Sequence, residues 1–193
     1  MKKIIAAVLF IAIQISACAY SGSQAFAAQP AKANQIVLTV KGDGVAKATR
    51  YTLKQLQAMK KGTVSVAYSS VNNLPAGKFF AGKGVTISYL LKTSGVKQGA
   101  QFIAFHATDG YEQKIALSRI NSTLYYFPDV INGTAAGKKT VPAILAWDQA
   151  ENTNDLHKIK SGQLRFMLGQ KTPNDITASD FVKYVYEIEV TKK

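Results

Sequence analysis

His106, Asp109, Tyr111 and Glu112 put an imidazole, two carboxylates and a phenol into one short stretch, Phe102 to Leu117. With Ser69, the first two supply the residue types of a hydrolytic triad: nucleophile, base and orienting acid. The surroundings argue against that use. No Gly-x-Ser-x-Gly elbow encloses Ser69, and His106 and Asp109 fall on one hairpin. An aspartate in a tight turn more often caps backbone amides. His106 and His157 are the only histidines and lie too far apart in sequence for zinc-ligand spacing. Arg165 is a different kind of candidate. Its planar fork of donors fits phosphate or carboxylate, whereas a lysine meets either as a point charge. An ion pair with Asp109 or Glu187 would explain Arg165 equally well.

These side chains need elements to hold them. Phe102-Ile103-Ala104-Phe105 is an apolar run of strand formers, and Ala107-Thr108-Asp109-Gly110 has the chemistry of a reversal. Ile115 and Leu117 restore a period-two apolar face, so the stretch reads as a hairpin with its polar residues at one end. Ile36 to Val40 alternates as a first strand, ended by Gly42-Asp43-Gly44. Thr52 and Gln55 fit a capping box, opening a helix to about Lys60 that buries Leu53, Leu56 and Met59, with Gly62 as its stop. Val64 to Tyr68 reads as a second strand and Ser69 to Gly84 as a long polar loop. Thr86 to Thr93 reads as a second helix, ended at Gly95. Residues 119–140 suggest an irregular excursion. Val141 to Trp147, Leu164 to Leu168 and Tyr184 to Val190 complete the strands. Trp147 and Tyr125-Tyr126-Phe127 have the types of pocket-lining residues, although core packing is the commoner use of aromatics. The expected fold is α+β: one mixed-sheet domain with Leu38, Val66, Phe105, Ile115, Leu145, Phe166 and Ile188 directed inward.

The chain of 193 residues is long enough for one domain with a sizeable core. Its formal charge is +13, which favours anionic partners. The lysines are scattered and no nucleic-acid motif accompanies them, so nucleic acid is not expected. Residues 1–27 read as an export leader: Lys2-Lys3 precede the apolar run Ile4 to Ala17, too short for a membrane span. Cleavage at Ala25-Phe26-Ala27 would release a soluble periplasmic or secreted protein. Alternatively, Ile15-Ser16-Ala17-Cys18 has the form of a lipobox, leaving Cys18 lipidated. Residues 28–34 then form a linker and 35–193 the domain, with no transmembrane span in the mature chain. Cys18 is the only cysteine, so no disulfide can form within the chain, and no c-type haem motif is present.

The order of pieces resembles the molybdopterin-binding domain of the sulfite oxidase family, which includes periplasmic molybdenum-dependent methionine sulfoxide reductases. The likeness runs from about Ile36 to Val190. It rests on Thr52-Leu53 with Leu56, Lys83-Gly84-Val85-Thr86-Ile87 with Leu90-Leu91, Asp109-Gly110-Tyr111, Ile144-Leu145-Ala146-Trp147, and Gly162-Gln163-Leu164-Arg165-Phe166. It implies that Asn72, His106, Arg165 and Lys183 line a cofactor site. There Arg165 would hold the anionic end of molybdopterin, and Lys183 would lie near its phosphate. Lys160 stands where catalytic relatives tend to carry Asn or His.

One departure is chemical. Catalytic members ligate molybdenum through a cysteine in a Cys-Ala-Gly-Asn-like stretch, and here Tyr68-Ser69-Ser70-Val71-Asn72 keeps the asparagine but puts Ser69 at the ligand position. A thiolate is soft and accessible near neutral pH, and a serine hydroxyl ionises far less readily. No metal-ligating residue is therefore assigned. Two functions follow from the sequence. One is an exported molybdopterin-domain protein of the sulfite oxidase type that has diverged from ordinary catalysis. The other is a non-catalytic extracytoplasmic module for an anionic ligand, a redox protein or another envelope partner.

Overall fold

The structure, a computed structural model, describes residues 34–72 and 77–193. The expected leader, its cleavage sites, Cys18 and the linker up to residue 33 lie outside the described residues.

Two sheets form the body where one was expected. The first is mixed: β1 (Ile36–Lys41), β2 (Thr49–Thr52), β5 (Phe102–Ala107), β6 (Glu112–Ala116) and β11 (Val185–Thr191) lie in the order β2-β1-β11-β5-β6. Only the β1–β11 pair is parallel, with Val40 opposite Ile188. The second sheet is antiparallel, in the order β10-β9-β4-β3: β3 is Thr63–Val71, β4 Gly77–Thr86, β9 Ile144–Glu151 and β10 Lys160–Met167. A small ribbon joins β7 (Tyr125–Tyr126) to β8 (Lys139–Thr140). The helices are short: α1 (Leu53–Gln57), α2 (Ile87–Thr93) and α3 (Leu117–Ile120). The result is a sheet-dominated α+β domain.

Local chemistry explains most of these elements. The capping box forms as expected: the Thr52 amide donates to Gln55 Oε1 at 2.8 Å and the Gln55 amide to Thr52 Oγ1 at 3.2 Å. The helix it opens is shorter than the pattern suggested, because Lys60–Gly62 tightens into a 3-10 turn. Thr86 caps α2 with a single bond, its hydroxyl accepting from the Tyr89 amide. Between β5 and β6, Asp109 Oδ1 accepts from the Tyr111 amide at 3.1 Å and Gly110 takes a φ of +86°. That is the capping role expected of a turn aspartate.

The principal core lies between the sheets, where Leu38, Phe105, Ile115 and Ile188 of the first meet Leu145 and Phe166 of the second. Phe105 and Phe166 stack across it with centroids 3.8 Å apart. A second cluster includes Tyr68, Phe80, Ile144, Met167 and Phe181. Val66, expected in the core, is only partly buried and packs against this second cluster, because β3 is an edge strand. The polar loop expected over 69–84 is also corrected: β3 continues through Ser69 and Ser70, and β4 begins at Gly77. Glycines made β4 look like a loop. At Gly84 a Cβ would stand 2.1 Å from the Leu145 carbonyl oxygen, so the close approach of β9 requires glycine inside a strand.

Candidate functional site

Strand alternation decides which serine matters. Successive residues of β3 project to opposite faces, so Ser69 and Ser70 cannot serve the same space. Ser69 is fully buried. Its Oγ donates to Gln170 Oε1 at 2.5 Å and accepts the Phe127 amide at 2.9 Å. Gln170 is held in turn by the carbonyls of Pro173 and Asp175. Ser69 is thus a structural tie between β3 and the segment before β8. Ser70 lines a cleft instead, and its Oγ accepts from Thr177 Oγ1 at 3.2 Å.

That cleft, of about 410 Å³, opens at the ends of β3, β4, β9 and β10. The turn carrying Asp109 and Tyr111 flanks it on one side, and the segment Ala178 to Lys183 on another. Phe80 and Phe181 are stacked at 4.5 Å in its lining. The Arg165 guanidinium rests against both rings, 4.7 Å from the Phe80 centroid and 5.9 Å from that of Phe181. This is cation–π geometry with a desolvated cation.

Arg165 pairs with neither Asp109 nor Glu187. Glu187 instead meets Lys41 at 2.9 Å. The acid on Arg165 is Glu151, 2.7 Å from Nη1, with Gln149 Oε1 at 3.2 Å. Lys183 Nζ contacts the same Glu151 oxygen, also at 2.7 Å. Burial alone would raise the Glu151 carboxyl, but bonds from Lys183 and Arg165 outweigh it and hold the group below its ordinary range. Around the cleft, Lys78, Arg165 and Lys183 face Asp109 and Glu151, leaving a surplus of positive charge. Four side-chain polar atoms are buried with no hydrogen-bond partner among the described residues, and two of them, Arg165 Nε and Asn72 Oδ1, belong to residues lining this cleft; the others are Arg119 Nε and His106 Nε2. Orphans occur both on this cleft and away from it, so the cleft is set apart by its surplus of positive charge rather than by the orphans alone.

The structure therefore brings Asn72, Arg165 and Lys183 together and leaves His106 out. His106 lies on the first sheet between Glu112 (Nδ1 to Oε2, 3.4 Å) and Glu189 (Nε2 to Oε2, 3.5 Å). It does not line the cleft, and neither does Ser69, so the hydrolytic constellation is not assembled. Glu151, Lys78, Tyr111 and Phe181 are additional site residues. The strand-forming pair Phe79-Phe80 was the available sequence signal for β4, obscured by the glycines around it.

A second network supports one wall. Arg119 Nη2 reaches Asp175 at 3.1 Å and Asp180 at 3.2 Å, and Gln113 Nε2 donates to Asp180 at 2.8 Å. Burial raises the Asp180 carboxyl, with Arg119 and Gln113 opposing. Next to it, Tyr111 donates its hydroxyl to the Ser179 carbonyl at 2.9 Å, joining the hairpin turn to this wall.

A molybdopterin group, which the sequence resemblance implies, fits this site only in part. The surplus cations and the orphaned Arg165 Nε suit its anionic portion. The metal portion fits poorly, because the Ser69 hydroxyl is already committed in both directions. Among the described residues, no group of three or more His, Cys, Asp or Glu stands together as a metal site.

Among solved structures, the sulfane dehydrogenase SoxCD from Paracoccus pantotrophus has a similar fold, with a TM-score of 0.55 and 14% identity. The match covers 86% of this chain but 40% of that one. At that identity the likeness speaks for the fold alone. It agrees with the fold family indicated by the order of sequence motifs. No family model matches the chain, and no curated protein matches it. No helix among the described residues is long and apolar enough to cross a membrane.

Proposed function

We propose that this chain is an exported binding module that uses a molybdopterin-domain fold of the sulfite oxidase type to hold an anionic ligand. The observation that carries this reading is the state of Arg165: buried, stacked on Phe80 and Phe181, and lining a cleft with a surplus of positive charge. The commitment of Ser69 to Phe127 and Gln170 supports divergence from molybdenum catalysis of the usual kind. Asn72, Arg165 and Lys183 around one cleft favour the second reading, an oxidoreductase component that binds the whole cofactor. On either reading, a redox protein of the same compartment is the proposed partner.

Titration of the protein with molybdopterin or a phosphate-bearing analogue tests the proposal. Arg165→Ala is expected to lower affinity by about 1.5–3 kcal/mol, the worth of a hydrogen bond to a charged group. Equal affinities would make Arg165 structural. Metal analysis and pterin fluorescence on protein from its native compartment separate the two readings. Stoichiometric metal and pterin would favour the oxidoreductase component.

A further inference from the structure

The oxygen of Glu151 sits where a ligand oxyanion would sit. Oε1 lies 2.7 Å from both Arg165 Nη1 and Lys183 Nζ, so one carboxylate oxygen occupies the bridging point between the cleft's two nearest cations. The three partners differ in burial. The Arg165 side chain is 4% exposed, whereas those of Glu151 and Lys183 are 41% and 46% exposed. Arg165 is fixed by its ring contacts and its strand, while Glu151 and Lys183 can swing into water. Glu151 and Lys183 also line a smaller neighbouring hollow with Gln149, Gln163 and Tyr184, so space for that movement adjoins the cleft.

We infer that Glu151 is an internal competitor for the anion site, and that ligands bind by exchange with its carboxylate, which selects phosphate-type dianions over carboxylates. This deepens the anion-binding reading above and depends on it. The selection follows from what exchange returns. A monocarboxylate replaces one carboxylate with another and still carries the entropic cost of association. A dianion brings a second charge to a cleft with surplus cations, and its extra oxygens can meet donors that Glu151 leaves unused. The displaced carboxylate is already partly hydrated, so its release adds little desolvation cost.

The experiment is calorimetric titration of inorganic phosphate and of acetate into wild type, Glu151→Gln and Glu151→Ala at pH 7.5 and low ionic strength. The wild type is expected to bind phosphate well above acetate. Removing the competing charge is expected to raise phosphate affinity about tenfold and to make acetate binding measurable, narrowing the preference. Both variants should also melt below wild type and be restored by phosphate more than by sodium chloride at matched ionic strength. The alanine variant guards against a new contact from the glutamine amide. If wild type binds phosphate and neither variant binds it more tightly, exchange is overturned while the anion site stands. If no form binds phosphate, and phosphate restores none of the lost stability, the site and the exchange fall together.

Discussion

Two arginines in this molecule make opposite arrangements from the same parts. Arg119 is one cation shared by two carboxylates, Asp175 and Asp180. Arg165 and Lys183 are two cations sharing one carboxylate, Glu151. Both arginines have a buried Nε without a partner among the described residues, so that feature alone does not distinguish them. The sign of the surplus does. Around Arg119 the excess is negative and is absorbed internally, with Gln113 as a further donor to Asp180. Around Arg165 the excess is positive and faces an open cleft. The first arrangement is a strut, and the second needs an anion from outside.

The largest effect should come from breaking the strut. Arg119→Met leaves two carboxylates facing each other and should cost about 2–3 kcal/mol, below the value for a fully buried pair because Arg119 keeps some solvent. Arg165→Met should cost under about 1.5 kcal/mol, since Glu151 retains Lys183 and the methionine still packs on Phe80 and Phe181. Urea denaturation of both variants checks the contrast, and equal losses would erase it. Ser69→Ala should fall below the Arg119 variant and overlap the Arg165 one. It orphans the Phe127 amide and should cost about 1–2 kcal/mol, with phosphate affinity unchanged. A parallel fall in affinity would place Ser69 in the cleft's machinery after all.

The smallest effects are in pH dependence, where the two networks should slope in opposite directions. Asp180 has a raised carboxyl pKa, so the folded state holds that proton more tightly than the unfolded state. Its contribution therefore declines as pH rises from about 3.8 through the raised value. Glu151 has a lowered pKa, so its contribution is present above about 4.5 and is lost as pH falls through the lowered value. Asp180→Asn should remove the first slope and Glu151→Gln the second, each read from denaturation midpoints between pH 3 and 6. If both variants shift the curve in the same sense, the opposition is wrong.

Much of this fold was legible in the residues. The Thr52–Gln55 box, the hairpin turn at Asp109-Gly110 and most inward positions follow from local pattern. What stayed hidden depended on tertiary contact. Gly84 reads as a loop residue until β9 is seen to press against it. Val66 has a core residue's chemistry but sits on an edge strand. Within the site, Arg165, Lys183 and Asn72 were recognisable from motif order. Glu151 was not, because nothing near it in sequence shows that β9 ends beside both cations. Ser69 shows the same limit: motif alignment identifies a position, but only strand parity says where its side chain goes.

The parallel pairing of β1 with β11 has a consequence for how this chain can be made. β11 is the middle strand of the first sheet, and it follows all the other described strands in the sequence. Until Val185–Thr191 has left the ribosome, β1 and β2 have no route to β5 and β6, and the sheet exists as two unjoined ribbons. Such long-range closure slows folding and makes it cooperative from end to end. A nascent chain of this design cannot close its first sheet until β11 has emerged, so β1 and β2 must wait for a partner that lies far along the sequence.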